Sequence, residues 1–316
     1  MIYVNDGKIQ YMKILIIGAS KQRVTTEDRA YYQKYIDFFK KSANAINDDI
    51  VVGLSLIDDL IISVGDGKFS IYDAKNQNDL NEYNVIFIRG DSFRGYMDAV
   101  GSINEYAHLN KIIIINDYSN VRDSSKLLQA VHFHQLDIPV ARTLLVTSAV
   151  LNNEAQLGWN FPCIMKAAHG SHGNDNFVVN NMNDVKSILE NQPDKHFVLQ
   201  RFIPNNGDYR ILIIGDGILV IGRSAVEGSH LNNTSQGGEA VLVSVDQLPK
   251  VVIDNAKLIM KHFGMTVAGV DVIADKNTNE FFFLEVNAQP QLMSGAFVAE
   301  KEKLISKLLS SLSDKS

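Results

Sequence analysis

Cysteine is almost missing from this 316-residue chain. The single Cys163 excludes an internal disulfide and a thiolate-clustered zinc site. Positive charge is not in excess either. Thirty Lys and Arg stand against 36 Asp and Glu, for a net charge of −6, so neither nucleic acid nor an anionic membrane is attracted in general. No apolar run approaches the roughly 20 residues that span a bilayer. The opening MIYVNDGKIQYMKILIIG lacks the basic segment, apolar run and small-residue cleavage site of a secretory signal. A cytoplasmic protein is expected. Several catalytic signatures are also lacking. There is no HExxH spacing for a zinc protease and no Gly-x-Ser-x-Gly elbow for a serine hydrolase. GASKQR after the first strand keeps one of the three glycines of a dinucleotide fingerprint, which argues against a dehydrogenase. His132 and His134 lie two apart on a predicted helix and cannot share a face.

What is present is an ordinary globular composition, 46% hydrophobic and 21% charged, with length for two or three domains. The first third alternates buried strands (12–20, 83–91, 111–118) with helices (30–46, 97–110), the pattern of a parallel α/β sheet. A Gly-Asp-Gly turn within 60–73 predicts a hairpin. A helix over 124–136 stops before Pro139. After it come hairpins from 161–168 with 176–181 and across Gly215-Asp216-Gly217, helices over 184–192 and 251–264, and a last antiparallel pair, 267–275 with 280–288. The expected division is an α/β domain over 1–118, a small α+β piece over 119–195 and a larger α+β piece over 196–316.

Polar residues inside apolar strands mark candidate chemistry. Glu285 and Asn287 alternate onto one face of a strand. With the turn near Asn277, Asp271 falls opposite or nearly opposite Glu285. Two carboxylates facing across a ladder repel, and a hard cation bound by oxygen removes the conflict. Edge residues facing water are the bland reading. Lys166, in FPCIMKAA, faces solvent or a bound anion. The loop after it, 169–175, is a flap over a nucleotide or a plain turn, with glycine backbone able to approach phosphate. It does not fit the Walker pattern. Lys126 by itself reads as a solvated helix lysine. Arg210 and Arg223 can meet on one sheet face to neutralise a phosphate or acyl phosphate, or each can pair with a surface carboxylate such as Glu227. Asn232 and Asn233 lie in a polar loop suited equally to substrate contact or to solvation. Trp159 reads as packing.

The order of these features is more informative than any one of them. Lys126, Lys166 before a glycine-rich loop, FVLQRFIP, Asp208-Tyr209-Arg210, NNTSQGG, AGVDV and FLEVNAQP together resemble the ATP-grasp superfamily. The resemblance is greatest to the branch of ribosomal-protein glutamate ligases, glutathione-synthetase-like enzymes and peptide-modifying ligases that close ester or amide rings. It covers about 119–300. The fold it implies is α/β and α+β: an N-terminal parallel-sheet domain with two α+β subdomains clamping ATP.

The resemblance implies roles by position. Lys126 and Lys166 would contact ATP phosphates, and Gln200, Arg201, Phe202 and Ile203 would form the adenine hinge. Asp208 matches a ribose or active-site position, Arg210 and Arg223 lie near the transferred phosphate, and Asn233, beside Asn232, precedes the paired glycines. Asp271, Glu285 and Asn287 would hold Mg²⁺, two ions, with Mn²⁺ as a substitute. The implied activity is carboxylate–amine or carboxylate–hydroxyl ligation through an acyl phosphate. The acceptor would be an amino acid or a peptide side chain, and a homo-oligomer is left open. The alternative is a catalytically silent ATP-binding or scaffolding protein. Arg201 replaces a usual Glu, Gln236 a frequent Arg, and Gln291 the Gly of a Pro-Gly pair. These departures bear on the acceptor contacts.

Overall fold

The computed structural model describes residues 4–5, 8–9, 12–18, 26–44, 50–89, 96–117, 125–153, 158–169, 175–224 and 239–313. The expected loop contacts Asn232, Asn233, Gln236 and Glu227, and most of the expected flap, lie outside them. Among the described residues no helix is long and apolar enough to cross a membrane.

A short pair, β1 (Val4–Asn5) with β2 (Lys8–Ile9), precedes β3 (Met12–Gly18), α1 (Thr26–Asn44) and β4 (Ile50–Leu56). Then follow β5 (Leu60–Gly65), β6 (Lys68–Asp73), β7 (Asn78–Asp79), β8 (Val85–Arg89), α2 (Met97–Leu109) and β9 (Ile113–Ile115). A parallel sheet forms in the order β4-β3-β8-β9. Its strands are near-continuous aliphatic runs because both faces are covered. Ile14, Ile16 and Phe87 pack toward α1, and Leu15, Ile17 and Ile88 toward α2 and the hairpin. The hairpin turns on Asp66 and Gly67, both at positive φ (48° and 75°), as a two-residue loop with right-handed strand twist requires. β4, which the sequence patterning does not single out, is one of the parallel sheet's two edge strands.

The second sheet belongs to the span that follows: α3 (Lys126–Gln135), β10 (Thr143–Leu145), α4 (Ser148–Asn152), β11 (Cys163–Ala167), β12 (Asn176–Val179), α5 (Met182–Asn191) and β13 (Phe197–Arg201). Its order is β10-β13-β11-β12, all antiparallel. β13 thus joins this sheet although it lies beyond residue 195. Cys163, Met165, Val179, Val185, Phe197 and Leu199 form a core of its own, with Trp159 packed against it.

The third sheet comprises β14 (Asp208–Ile214), β15 (Gly217–Ser224), β16 (Glu239–Val243), β17 (Val267–Ala274) and β18 (Phe281–Asn287), in the order β16-β15-β14-β17-β18. The helix α6 (Lys250–His262) precedes β17, and α7 (Val298–Ser313) ends the described chain. Gly264, at φ +63°, closes α6. One sheet face, with Ile211, Ile213, Val220, Val270 and Val272, packs on α3 and α6. His132 and His262 pair 3.0 Å apart between those two helices. On the other face, Leu212, Ile214 and Val267 meet Ile305, Leu308 and Leu309 of α7. That cluster continues through α1 into the parallel sheet. Asn116, buried at φ +59°, locks the junction. Its amide donates to Val267 O and Ala288 O and accepts from the N–H groups of Thr266 and Val267.

Candidate active site

Strand register brings the polar residues together. Asp208 lies opposite Arg223, Arg210 opposite Asp271, and Asp271 opposite Glu285, with Gly269 opposite Asn287. Cross-strand partners share a face, so six polar side chains from four strands crowd one side of an otherwise apolar sheet. A β-bulge sets the last pairing. Val272 pairs with Phe283 but Asp271 pairs with Glu285, which leaves Leu284 as the extra residue. Phe283 is thereby buried in the core behind the sheet, while Glu285, two residues on, lies on the polar face.

Asp271 is the hub. Arg210 donates to it through Nε (2.8 Å) and a terminal nitrogen (2.7 Å), and Arg223 adds a contact at 3.1 Å. Arg223 also pairs with Asp208 at 2.6 Å. Burial opposes ionisation of Asp271, but the two guanidinium groups outweigh it and bring its pKa down to about 2. The arginines therefore pair with buried carboxylates on the sheet.

Gly207 places Asp208. Its φ is +140°, and a Cβ there would lie 2.3 Å from Arg223 O. The Asn205 side chain accepts from Gly207 N–H and fixes the bend. Gly207→Ala is expected to lower stability by about 1–3 kcal/mol and to weaken the Asp208–Arg223 pair. An unchanged denaturation midpoint would argue against the constraint.

The second sheet supplies Lys166, and α3 supplies Lys126. Lys166 donates to Gln200 Oε1 at 2.7 Å, and Gln200 in turn donates to Thr143 Oγ1 at 3.2 Å. Burial lowers the Lys166 pKa; Glu285, Asp208 and Asp271 counter that, and Lys126 adds to it. Lys166 therefore feels both the third-sheet carboxylates and Lys126. Lys126 opens α3 behind the N-cap Ser125, and its N–H donates to Ala168 O at 3.0 Å, next to the end of β11. Gln200 and Arg201 end β13. Arg201 is exposed and stacks on Phe282 at 4.8 Å. Phe202 and the buried Ile203 lead out of the strand.

The donor set Asp271, Glu285 and Asn287 fits a hard cation. All three offer oxygen. Asp271 uses three of about four lone-pair positions on its arginines, and Asn287 Oδ1 accepts one bond, from Gln289 N–H. Gln129 of α3 steadies the strand, because its amide accepts from Val286 N–H and donates to Val286 O.

Sequence patterning misses Gln129 and Lys301, and Gln291 stands out there only as a departure from the family pattern. Gln129 has no periodic signal. Lys301, in AEKEK, looks like a solvated helix lysine, yet it is 3% exposed.

Comparison with known proteins identifies the family and the fold. A probable alpha-L-glutamate ligase from Histophilus somni (strain 2336) is 28% identical over 218 residues, 67% of this chain and 71% of that protein. Two solved structures share the fold. The macrocyclase MdnC of Microcystis aeruginosa MRC, bound with precursor peptide MdnA, has a TM-score of 0.67 at 17% identity, covering 95% of this chain and all of that one. The ATP-grasp ligase PsnB, complexed with minimal precursor, Mg and ADP, has a TM-score of 0.67 at 14% identity, covering 95% and 97%. Residues 119–308 match the RimK-like ATP-grasp domain. That match, over more than half its length, places this chain in the RimK-like ATP-grasp family of ligases.

Proposed function

We propose that the chain uses ATP and Mg²⁺ to activate a carboxylate as an acyl phosphate and joins it to an amine or hydroxyl, releasing ADP and phosphate. The observation that carries this reading is the Arg210–Asp271–Arg223–Asp208 network beside Glu285, with Lys166 within electrostatic reach. Asp271, Glu285 and Asn287 would hold the metal. Bound Mg²⁺ supplies charge neutralisation on the phosphate oxygens.

Lys166 and Lys126 hold and neutralise the ATP phosphates, and Gln200 fixes the Lys166 ammonium in place. Residues 200–203 take the adenine, Asp208 stands by the ribose or the reacting centre, and Asn232 and Asn233 add polar contacts. A substrate carboxylate oxygen attacks the γ-phosphorus, and the bond to the β-phosphate oxygen breaks to leave ADP. The nucleophile then attacks the acyl carbon, loses its proton and expels phosphate. Arg210 and Arg223 stabilise the charge that develops on oxygen in both steps. The loop over 169–175 keeps water from the acyl phosphate.

The acceptor is an amino acid or a peptide side chain. The relative's name supports the first, and the peptide-bound macrocyclase and ligase structures support the second. In the peptide case the N-terminal domain would bind a leader segment. Incubation of the purified protein with ATP, Mg²⁺ and a cell extract is expected to yield ADP, phosphate and an ATP-dependent conjugate detectable by mass. Release of AMP and pyrophosphate would refute the acyl-phosphate route.

A further inference from the structure

A cavity opens beside the arginine pair, lined by Arg210, Leu212, Ile221, Arg223, Pro290, Gln291, Ala296 and Lys301. Three of its lining residues are cations. The carboxylates that pair with them are Asp271, shared by both arginines, and Asp208, on Arg223. Each arginine thus has a carboxylate within ion-pair distance, and Lys301 is the cation of the three that lacks one among the described residues. Its ammonium donates to Ser294 O at 2.9 Å and has no carboxylate partner among the described residues. A buried cation held by a single neutral acceptor is costly unless an anion joins it.

Gln291 adds a second polar group. A Cβ on Gly295, which sits at φ +73°, would come 2.9 Å from Gln291 Oε1 and 3.9 Å from Lys301 Nζ. The missing side chain at Gly295 leaves space for the glutamine amide close to the lysine. Gln291, Ser294 and Gly295 are exposed, so the cavity has a route to solvent. Lys301 lines the cavity with Arg210 and Arg223, whereas Lys166 is held by Gln200 of the second sheet. Lys301 stands on α7, a different element from the α3 and β11 that carry the lysines assigned to nucleotide phosphates.

Building on the ligase reading, we propose that this cavity recognises a carboxylate of the substrate, with Lys301 as the pairing cation and Gln291 hydrogen-bonding beside it. Free amino acids and acidic peptide side chains share that chemistry. Burial and Arg210 together bring the Lys301 pKa to about 8. The groups facing it, Arg210 and Arg223, stay cationic, so carboxylate affinity is expected to fall as pH rises from 7 to 9 through that value.

The test is calorimetric titration of the full chain holding Mg²⁺ and a non-hydrolysable ATP analogue. The probes are free L-glutamate, with L-glutaminamide as control, and a capped Gly-Glu-Gly peptide, with capped Gly-Gln-Gly as control. One glutamate probe is expected to bind better than its control, and which one does identifies the source. Lys301→Met should weaken that binding at least about tenfold, and Lys301→Arg should recover part of it. Thermal melts of both variants guard against misfolding. Absence of carboxylate-dependent binding to the wild-type protein overturns the proposal, as does equal binding by a folded Lys301→Met protein. ADP formation measured on parallel samples, with ATP in place of the analogue, separates the two readings. Lys301-dependent binding without ADP formation would sink the ligase and leave the cavity assignment standing. ADP formation with Lys301-independent binding would do the reverse.

Discussion

Asp271→Ala is expected to lower stability by about 3–5 kcal/mol, because it strands two buried guanidinium groups that now share one carboxylate. At about 2–4 °C per kcal/mol, the thermal midpoint should drop by roughly 6–20 °C. Asp271→Asn keeps the shape but not the charge, and should fall between the two. The double variant Asp271→Ala with Arg210→Met should recover part of the loss, since one unpaired charge is gone. Acid acts on the same group. A carboxyl lowered in the folded state stabilises fully above its unfolded pKa and ceases to do so as pH falls through the folded value. For Asp271 this is about 2 kcal/mol, present above roughly pH 4 and lost toward about pH 2. A midpoint within a degree of wild type for Asp271→Ala would show that the arginines find other partners. Loss of activity in Asp271 variants therefore mixes unfolding with chemistry.

Glu285→Gln separates the two. Glu285 stands opposite Asp271 in the ladder, and directly opposed like charges destabilise a sheet. The amide is nearly isosteric and removes the repulsion, so the midpoint should hold or rise. ATP turnover should fall by about 10²–10³, the usual scale for removing one charged group that acts on the reacting centre. Lys166→Met should lower turnover on the same scale, with Gln200 left without its ammonium donor. Steady-state ADP release measured beside thermal melts reads both effects. A site that loses rate while keeping or gaining stability is strained for function. Full turnover in Glu285→Gln would remove Glu285 from the metal set.

Much of this arrangement is legible in the sequence because two signals agree. Apolar runs interrupted by single polar residues mark Lys166, Arg210, Asp271 and Glu285, and turn chemistry fixes which strands are neighbours. The Gly215-Asp216 turn alone puts Asp208 near Arg223. Other features leave no such trace. β4 reads IVVGLSL, an apolar run with a glycine and a serine, and only its place beside β3 identifies it. The bulge is invisible to simple alternation, which puts Phe283 and Glu285 on the same face, whereas the structure separates them. Lys301 and Gln129 are polar residues on amphipathic helices, where exposure is the default. Burying them takes a tertiary contact: the loop at 290–296 for one and the edge of β18 for the other. The two asparagines at 232 and 233 fall outside the described residues, and their roles rest on motif order.

The continuous apolar cluster through α7 and α1 also has a kinetic meaning. The parallel sheet and the third sheet cannot part without exposing Leu212, Ile305, Leu309 and Phe39 together. The β10–β13 sheet, in contrast, closes over its own interior. The three largest sheets therefore make two cooperative units, one large and one small. Local opening of the small unit alone would separate Lys166 from Glu285 while Asp271 stays clamped by its arginines. Such an opening would leave the ion pairs of Asp271 and Asp208 with their arginines intact.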